Sequence, residues 1–525
     1  MPNSMVKEMW SSRYGVILAV TGSAVGLGNF LRFPGLAAKY DGGVFMIPYF
    51  ISLLLIGLPL AWVEWSMGRY GGNRGYNSTP GIFRIIWKNK CAPYLGVFGL
   101  LIPVVIYMYY VFIESWCLGY AWIYLQKIGQ AAPSYSMTPE FFANYIGAHA
   151  DGSLFHDPWN STLVFMLICV VANFYLIYRG LSQGIEWFCV RAMPLLVLCA
   201  FLVLLRVLTL GTPDPTKPDQ NMLQGLGFMW NLNLNSGTFW NSLANPRMWI
   251  DAAGQIFFSL SVGMGVITTY ASYLKKNDDI ALSSTTSVAG NEFCEVSLGG
   301  MITVPAAFIF FGTAGAVGTT FGLGFKTLPM VFEKMPLGEI CGFLFFFLLF
   351  LAAITSSLSM LQPVIAFLEE GLNLSRKQSV LLLGIITLLG NALILYYSGG
   401  TAAMDAFDFW AGTFCIYLLA TFQVILFAWV LGTNKGMQEL QRGANLTIPS
   451  CFPFVIRYVA PALLIIIFAA WLQDSFMRDL KSYWLPTGGK VAMIFIVACF
   501  FLFLIFIRLA VKRWTEQEAQ SGGSS

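Results

Sequence analysis

The sequence predicts an all-α protein of the lipid bilayer with about twelve transmembrane helices. Three observations predict it. Charged residues make up 11% of the 525 positions and hydrophobic residues 57%, whereas a water-soluble chain carries roughly 25% charged residues. Apolar runs recur at the length of about 20 residues that crosses a hydrocarbon core. Two of those runs, in corresponding halves of the chain, are interrupted by glycine and small polar residues.

The clearest spanning runs are 44–65, 97–122, 163–178, 342–368 and 490–509. Counting all such runs between charged or turn-rich segments places helix starts near residues 14, 43, 93, 160, 186, 250, 280, 340, 376, 405, 450 and 485. An even count puts both chain ends on one side. Most of the 30 Lys and Arg then fall on that side, among them Arg74, Arg84, Lys88, Lys90, Lys275, Lys276, Arg376 and Lys377. Cytoplasmic loops carry such an excess, so both termini of a multi-pass plasma-membrane protein are expected in the cytoplasm. The net charge of +4 is dispersed over loops, without a basic-aromatic patch, which argues against a nucleic-acid partner. The ten Cys lack paired spacing, and several lie inside apolar runs, so no disulfide framework is expected. Residues 1–10 lack the charged-then-apolar pattern of a cleaved signal, which leaves the first helix as the insertion signal. Residues 521–525 read as flexible linker.

The interruptions are Gly22-Ser23-Ala24-Val25-Gly26-Leu27-Gly28-Asn29 in the first helix and Ser259-Leu260-Ser261-Val262-Gly263-Met264-Gly265 in the sixth. Each glycine weakens a helix by about 1 kcal/mol. Backbone groups freed inside a bilayer must bind something, so paired breaks point to a polar site at mid-depth. Close helix packing on glycine is the alternative, favoured for one break alone. Two breaks bearing hydroxyls and an amide favour binding. Outer segments are expected at 126–160 and 211–248, and 317–339 is placed to cap an outer entrance.

Several motifs recur together: Trp10, GSAVGLGNFLRFP at 22–34, EWSMGRYGG at 64–72, GQIFFSLS at 254–261 and Thr355-Ser356-Ser357. In this order, from Trp10 to the last helix, they resemble the neurotransmitter:sodium symporter family. The resemblance implies a LeuT-like 5+5 inverted repeat with helices 1 and 6 broken. Its divisions would be a cytoplasmic segment 1–13, a transport core 14–430 (helices 1–5 and 6–10), helices 11–12 over 431–514, and a tail 515–525.

It also implies two sodium ions. One would take the Ala24 carbonyl, Asn29, Ser259, Asn291 and the substrate's own carboxylate, which couples ion and substrate binding. The other would take the carbonyls of Gly22, Val25 and Ala352 with Thr355 and Ser356. Sodium is a hard cation, for which neutral oxygens suffice. For the two hydroxyls, bonding back to a carbonyl one turn earlier is the competing reading.

The same resemblance brings the substrate carboxylate to Tyr110 and the amides near Gly28, and the amine to carbonyls of the two breaks. The side chain would meet Ser23, Ile106, Tyr110, Phe258, Ser261, Met264, Ser356 and Met360. Family members that carry monoamines have Asp in the place of Gly26, so Gly26 favours a substrate with its own carboxylate. The two thioethers fit medium to large apolar side chains such as Met, Leu or an aromatic.

Arg32 and Asp408 would form an outer charge gate above a lid of Tyr110 and Phe258. Lys7, Trp10, Tyr273 and Glu370 would form the inner closing network. Glu295 falls where chloride-dependent members carry a neutral residue, so it would substitute for chloride. Glu64 and Glu114 are expected to bond nearby backbone. The expectation is thus a sodium-coupled, chloride-independent symporter importing a small apolar α-amino acid by alternating access. Its partners are that amino acid and the bilayer, with a homodimer left open.

Three other readings compete. A permease coupled to protons would need a basic residue near Thr355, and none is there. A membrane enzyme finds no nucleophile or metal motif beside its two His, His149 and His156. A channel would need charged filter rings.

Overall fold

The computed structural model describes residues 8–40, 42–128, 136–156, 161–232, 237–316 and 320–522. Among them there are helices and no strands. Ten helices are long and apolar enough to cross a membrane, and the pair Arg13–Ala24 and Gly28–Lys39, bent by 48°, forms an eleventh span. Pro246–Ser259 and Val266–Ser272 flank the second break and complete the bundle. Helices begin at Arg13, Gly43, Ala92, Ser161, Leu181, Pro246, Ile280, Gly338, Arg376, Gly399, Phe452 and Thr487, close to the expected starts.

The backbone explains why these two helices break. Val25 turns to an extended conformation (φ −72°, ψ 100°) while its N–H still closes the last turn on the Thr21 carbonyl. In the second break Ser261, Gly263 and Gly265 all have positive φ, a region that glycine enters without steric cost. A Cβ on Gly265 would also stand 2.8 Å from the Gly99 backbone. Glu64 accepts the Gly263 N–H at 3.1 Å, so one freed donor is held by a buried carboxylate. Glu114, by contrast, bonds side chains rather than backbone: Asn173 at 3.0 Å and Ser357 at 2.7 Å.

Helices Ala92–Lys127 and Gly338–Leu372 pack along one another at the centre, beside the first broken helix. Around this core, helix Arg376–Tyr396 exposes Leu381, Ile385, Leu388 and Leu389, the apolar outer face of a helix solvated by lipid. The glycines of the 64–72 motif serve packing. A Cβ on Gly68 or Gly72 would collide with the carbonyls of Thr268 or Ser272 beyond the second break.

Arg69 of this motif is fully buried. It pairs with Glu439 at 2.9 Å and donates to the carbonyls of Asp278 (2.5 Å), Arg442 (3.1 Å) and Glu439. Removing one partner of a buried pair strands the other charge. Arg69→Ala is therefore expected to lower stability by about 3–5 kcal/mol, read as a fall in unfolding temperature in detergent. An unchanged midpoint would contradict this structural role.

Beyond the core, the stretch Leu323–Thr327 seats Phe325 against Trp116 and Phe142.

Candidate binding site at the helix breaks

Ser356 lies on helix Gly338–Leu372, opposite the first break. Its hydroxyl oxygen is 3.0 Å from the Ala352 carbonyl, 3.2 Å from Ser23, 3.3 Å from Gly22 and 3.4 Å from Val25. One hydroxyl has one proton to donate, so it cannot satisfy four carbonyls. Oxygens gathered in this way suit a small hard cation. Thr355 bonds back to the carbonyls of Leu351 at 3.0 Å and Ala352 at 3.1 Å, sharing the latter with Ser356.

A second cluster lies across the break. The Asn29 side-chain oxygen accepts from Gly26 N at 2.8 Å, and its amide nitrogen donates to Asn291 at 2.8 Å and to Glu295 at 3.2 Å. The inner end of the Asn291 amide faces the carbonyls of Ala24 and Ser259, each 3.3 Å away. As oxygen, that end completes an acceptor cluster needing a cation. Turned over, it donates to both carbonyls instead.

The fully buried Glu295 accepts from Gln255 at 2.8 Å and from the Ser259 hydroxyl. Glu292 joins this network, accepting from Tyr49 at 2.7 Å and from Asn291 at 3.4 Å. Sequence reasoning passed over Glu292, although a second carboxylate in an apolar run was a usable signal.

Between the clusters lies a cavity. Ser23, Ala24, Gly28, Asn29, Phe258 and Ser259 line it. So do Gly26, Tyr110, Ser261, Met264, Ser356 and Met360. Ile106 is fully buried and is not among these lining residues. The Tyr110 hydroxyl accepts from Leu27 N at 3.1 Å, which leaves its own proton to donate. Ser23 donates to Ser359 at 2.7 Å, and Ser261 donates to the Ser23 carbonyl at 2.8 Å, tying the two breaks together. A Cβ on Gly26 would come within 2.7 Å of the Tyr110 hydroxyl and 3.0 Å of that of Ser356.

On one side of the cavity the Arg32 guanidinium lies over the Phe258 ring, 5.0 Å from its centre, and Asp408 accepts from Tyr109 at 2.5 Å. Among the described residues no ion pair joins Arg32 to Asp408. Each has an aromatic partner instead.

At the opposite end the Trp10 indole donates to the Tyr270 carbonyl at 3.0 Å. Tyr273 accepts from Gln362 at 3.0 Å, Gln362 from Arg376 at 3.3 Å, and Arg376 pairs with Glu369 at 3.4 Å and Glu8 at 3.8 Å. Glu370 is not in this chain of contacts. It turns away to accept from Asn77 N at 2.5 Å and from Ser78 at 3.0 Å, capping the next helix. Lys7 lies outside the described residues.

This geometry has known counterparts. The profile of the sodium:neurotransmitter symporter family matches residues 7–129 and 126–516. An uncharacterized sodium-dependent transporter of Methanocaldococcus jannaschii is 29% identical over 88% of this chain and 89% of its own length. The sodium- and chloride-dependent GABA transporter 2 of Bos taurus is 26% identical over 92% of this chain and 83% of its own. The crystal structure of MhsT in complex with L-phenylalanine superposes with a TM-score of 0.74, at 28% identity over 88% of this chain and 99% of that one. The chain belongs to the sodium:neurotransmitter symporter family and is a sodium-dependent membrane transporter, not an enzyme.

Proposed function

We propose that this symporter carries an apolar α-amino acid into the cell together with two sodium ions, without chloride. The cavity at Gly26 carries the reading: its wall there has no side chain, while donors from Tyr110 and the break stand ready for a carboxylate that the substrate must bring. One sodium would bind between Ala24, Asn29, Ser259, Asn291 and that carboxylate. The other would bind among Gly22, Val25, Ala352, Thr355 and Ser356. Met264 and Met360 line the cavity, and their flexible thioethers would adapt to Leu, Met or an aromatic side chain; the phenylalanine bound to MhsT supports this class.

Alternating access needs closures that break readily. Contacts such as Arg376 with Glu8 and Glu369 are partly exposed and worth under about 1 kcal/mol each, which suits a reversible lock. Both termini would lie in the cytoplasm, on the side of the basic loops.

The test is uptake of labelled amino acids into proteoliposomes with sodium, potassium or lithium outside. Saturable uptake of Leu, Met or Phe that follows the sodium gradient is expected. Uptake that ignores the gradient would refute the coupling. Glu295 accepts from Gln255 and Ser259, and as a carboxylate it would supply the negative charge that a chloride ion would otherwise bring. Replacing chloride by gluconate should therefore leave the rate unchanged, and a rate that fell with chloride would remove that role from Glu295.

A further inference from the structure

A groove distant from the helix breaks opens beside the end of the last described helix. One wall is the segment 70–94, and the other is the end of the C-terminal helix Thr487–Gly522. The groove encloses about 910 Å³ and gathers Arg74, Arg84, Lys88 and Lys90 against a single carboxylate, Glu518.

That carboxylate is engaged by Arg84 at 2.8 Å. Arg74 lies over the Tyr70 ring, 3.5 Å from its centre, with one guanidinium nitrogen on the Tyr70 carbonyl at 2.8 Å, so its remaining donors are held in place. Among the described residues no ion pair involves Lys88 or Lys90. The floor is partly apolar, with Ile85 and Val511. On the same helix Ile505 and Leu509 are more than half exposed, on a face turned away from Val511, so the helix that ends at the groove meets lipid.

Three cations without an acid, set beside apolar wall at the end of a lipid-facing helix, match an amphiphile with an anionic head. We propose that the groove binds the headgroup of an anionic phospholipid. Arg74, Lys88 and Lys90 would hold its phosphate, and its acyl chains would lie over the apolar floor of Ile85 and Val511. Free phosphate would use the cations but not the apolar floor.

The test is native mass spectrometry of the full chain in detergent, titrated with dioleoylphosphatidylglycerol or dioleoylphosphatidylcholine. Adducts with the glycerol lipid alone are expected. Each of Lys88→Gln and Lys90→Gln should weaken them about fivefold, and the double variant about 30-fold, at roughly 1 kcal/mol per cation. Both side chains are exposed, so folding is not at stake, and Lys435→Gln, on the same face but outside the groove, should change nothing. Adducts that persist in the double variant, or that weaken equally in Lys435→Gln, would overturn the site in favour of diffuse attraction. Displacement of the lipid by millimolar inorganic phosphate would overturn the lipid as its ligand.

Discussion

Gly26→Asp is expected to abolish binding of apolar amino acids, with a loss of 100-fold or more. Two effects act in the same direction. The new Cβ would stand 2.7 Å from the Tyr110 hydroxyl and 3.0 Å from that of Ser356, so both must give way. The new carboxylate would then lie where the substrate carboxylate is proposed to sit. Two like charges about 4 Å apart repel by about 4 kcal/mol even in a partly screened interior, roughly a thousandfold in affinity. Gly26→Ala separates the effects, because it brings the contact without the charge and should fall between wild type and Gly26→Asp. Equilibrium binding of labelled phenylalanine or leucine in saturating sodium measures all three. An Asp variant that bound within threefold of wild type would show that the substrate carboxylate lies elsewhere.

The sequence made the helix starts legible because hydropathy and helix breakers act locally. The breaks were legible for the same reason, since Gly263 and Gly265 announce positive φ in the residue type itself. What stayed hidden was rotation about the helix axis. Glu369 and Glu370 are neighbours in sequence yet point about 100° apart on a helix of 3.6 residues per turn. Only tertiary packing decides that Glu369 meets Arg376 while Glu370 turns to Asn77 and Ser78. Ile106 is a similar case: it lies one turn before Tyr110 on the same helix, yet only Tyr110 is among the residues lining the cavity. The family resemblance implied a charge gate of Arg32 and Asp408. In the structure Arg32 lies over Phe258 and Asp408 accepts from Tyr109, aromatic contacts that no charge pattern encodes.

The two oxygen clusters predict different failures, and Asn291→Ala set against Ser356→Ala tells them apart. Asn291 faces the carbonyls of Ala24 and Ser259 and bonds Asn29, so its amide serves the ion that the substrate is proposed to share. Truncating it leaves buried polar groups unsatisfied at about 1–3 kcal/mol, or roughly tenfold to 100-fold. Because ion and substrate are linked, that loss must appear in both affinities, and adding sodium should recover substrate binding. Ser356 sits among four carbonyls of which only Ala352 lies on its own helix, so Ser356→Ala loosens the contact between that helix and the first break. The ion proposed there would touch no substrate, although the Ser356 hydroxyl lines the cavity. Ser356→Ala should raise the sodium concentration needed for uptake about tenfold while leaving substrate affinity at saturating sodium within about threefold of wild type. Sodium titrations of substrate binding in both variants supply the comparison. If Asn291→Ala shifted sodium affinity alone, the substrate carboxylate would not be a ligand of the first ion, and coupling would have to arise from closure of the helix breaks around the cavity.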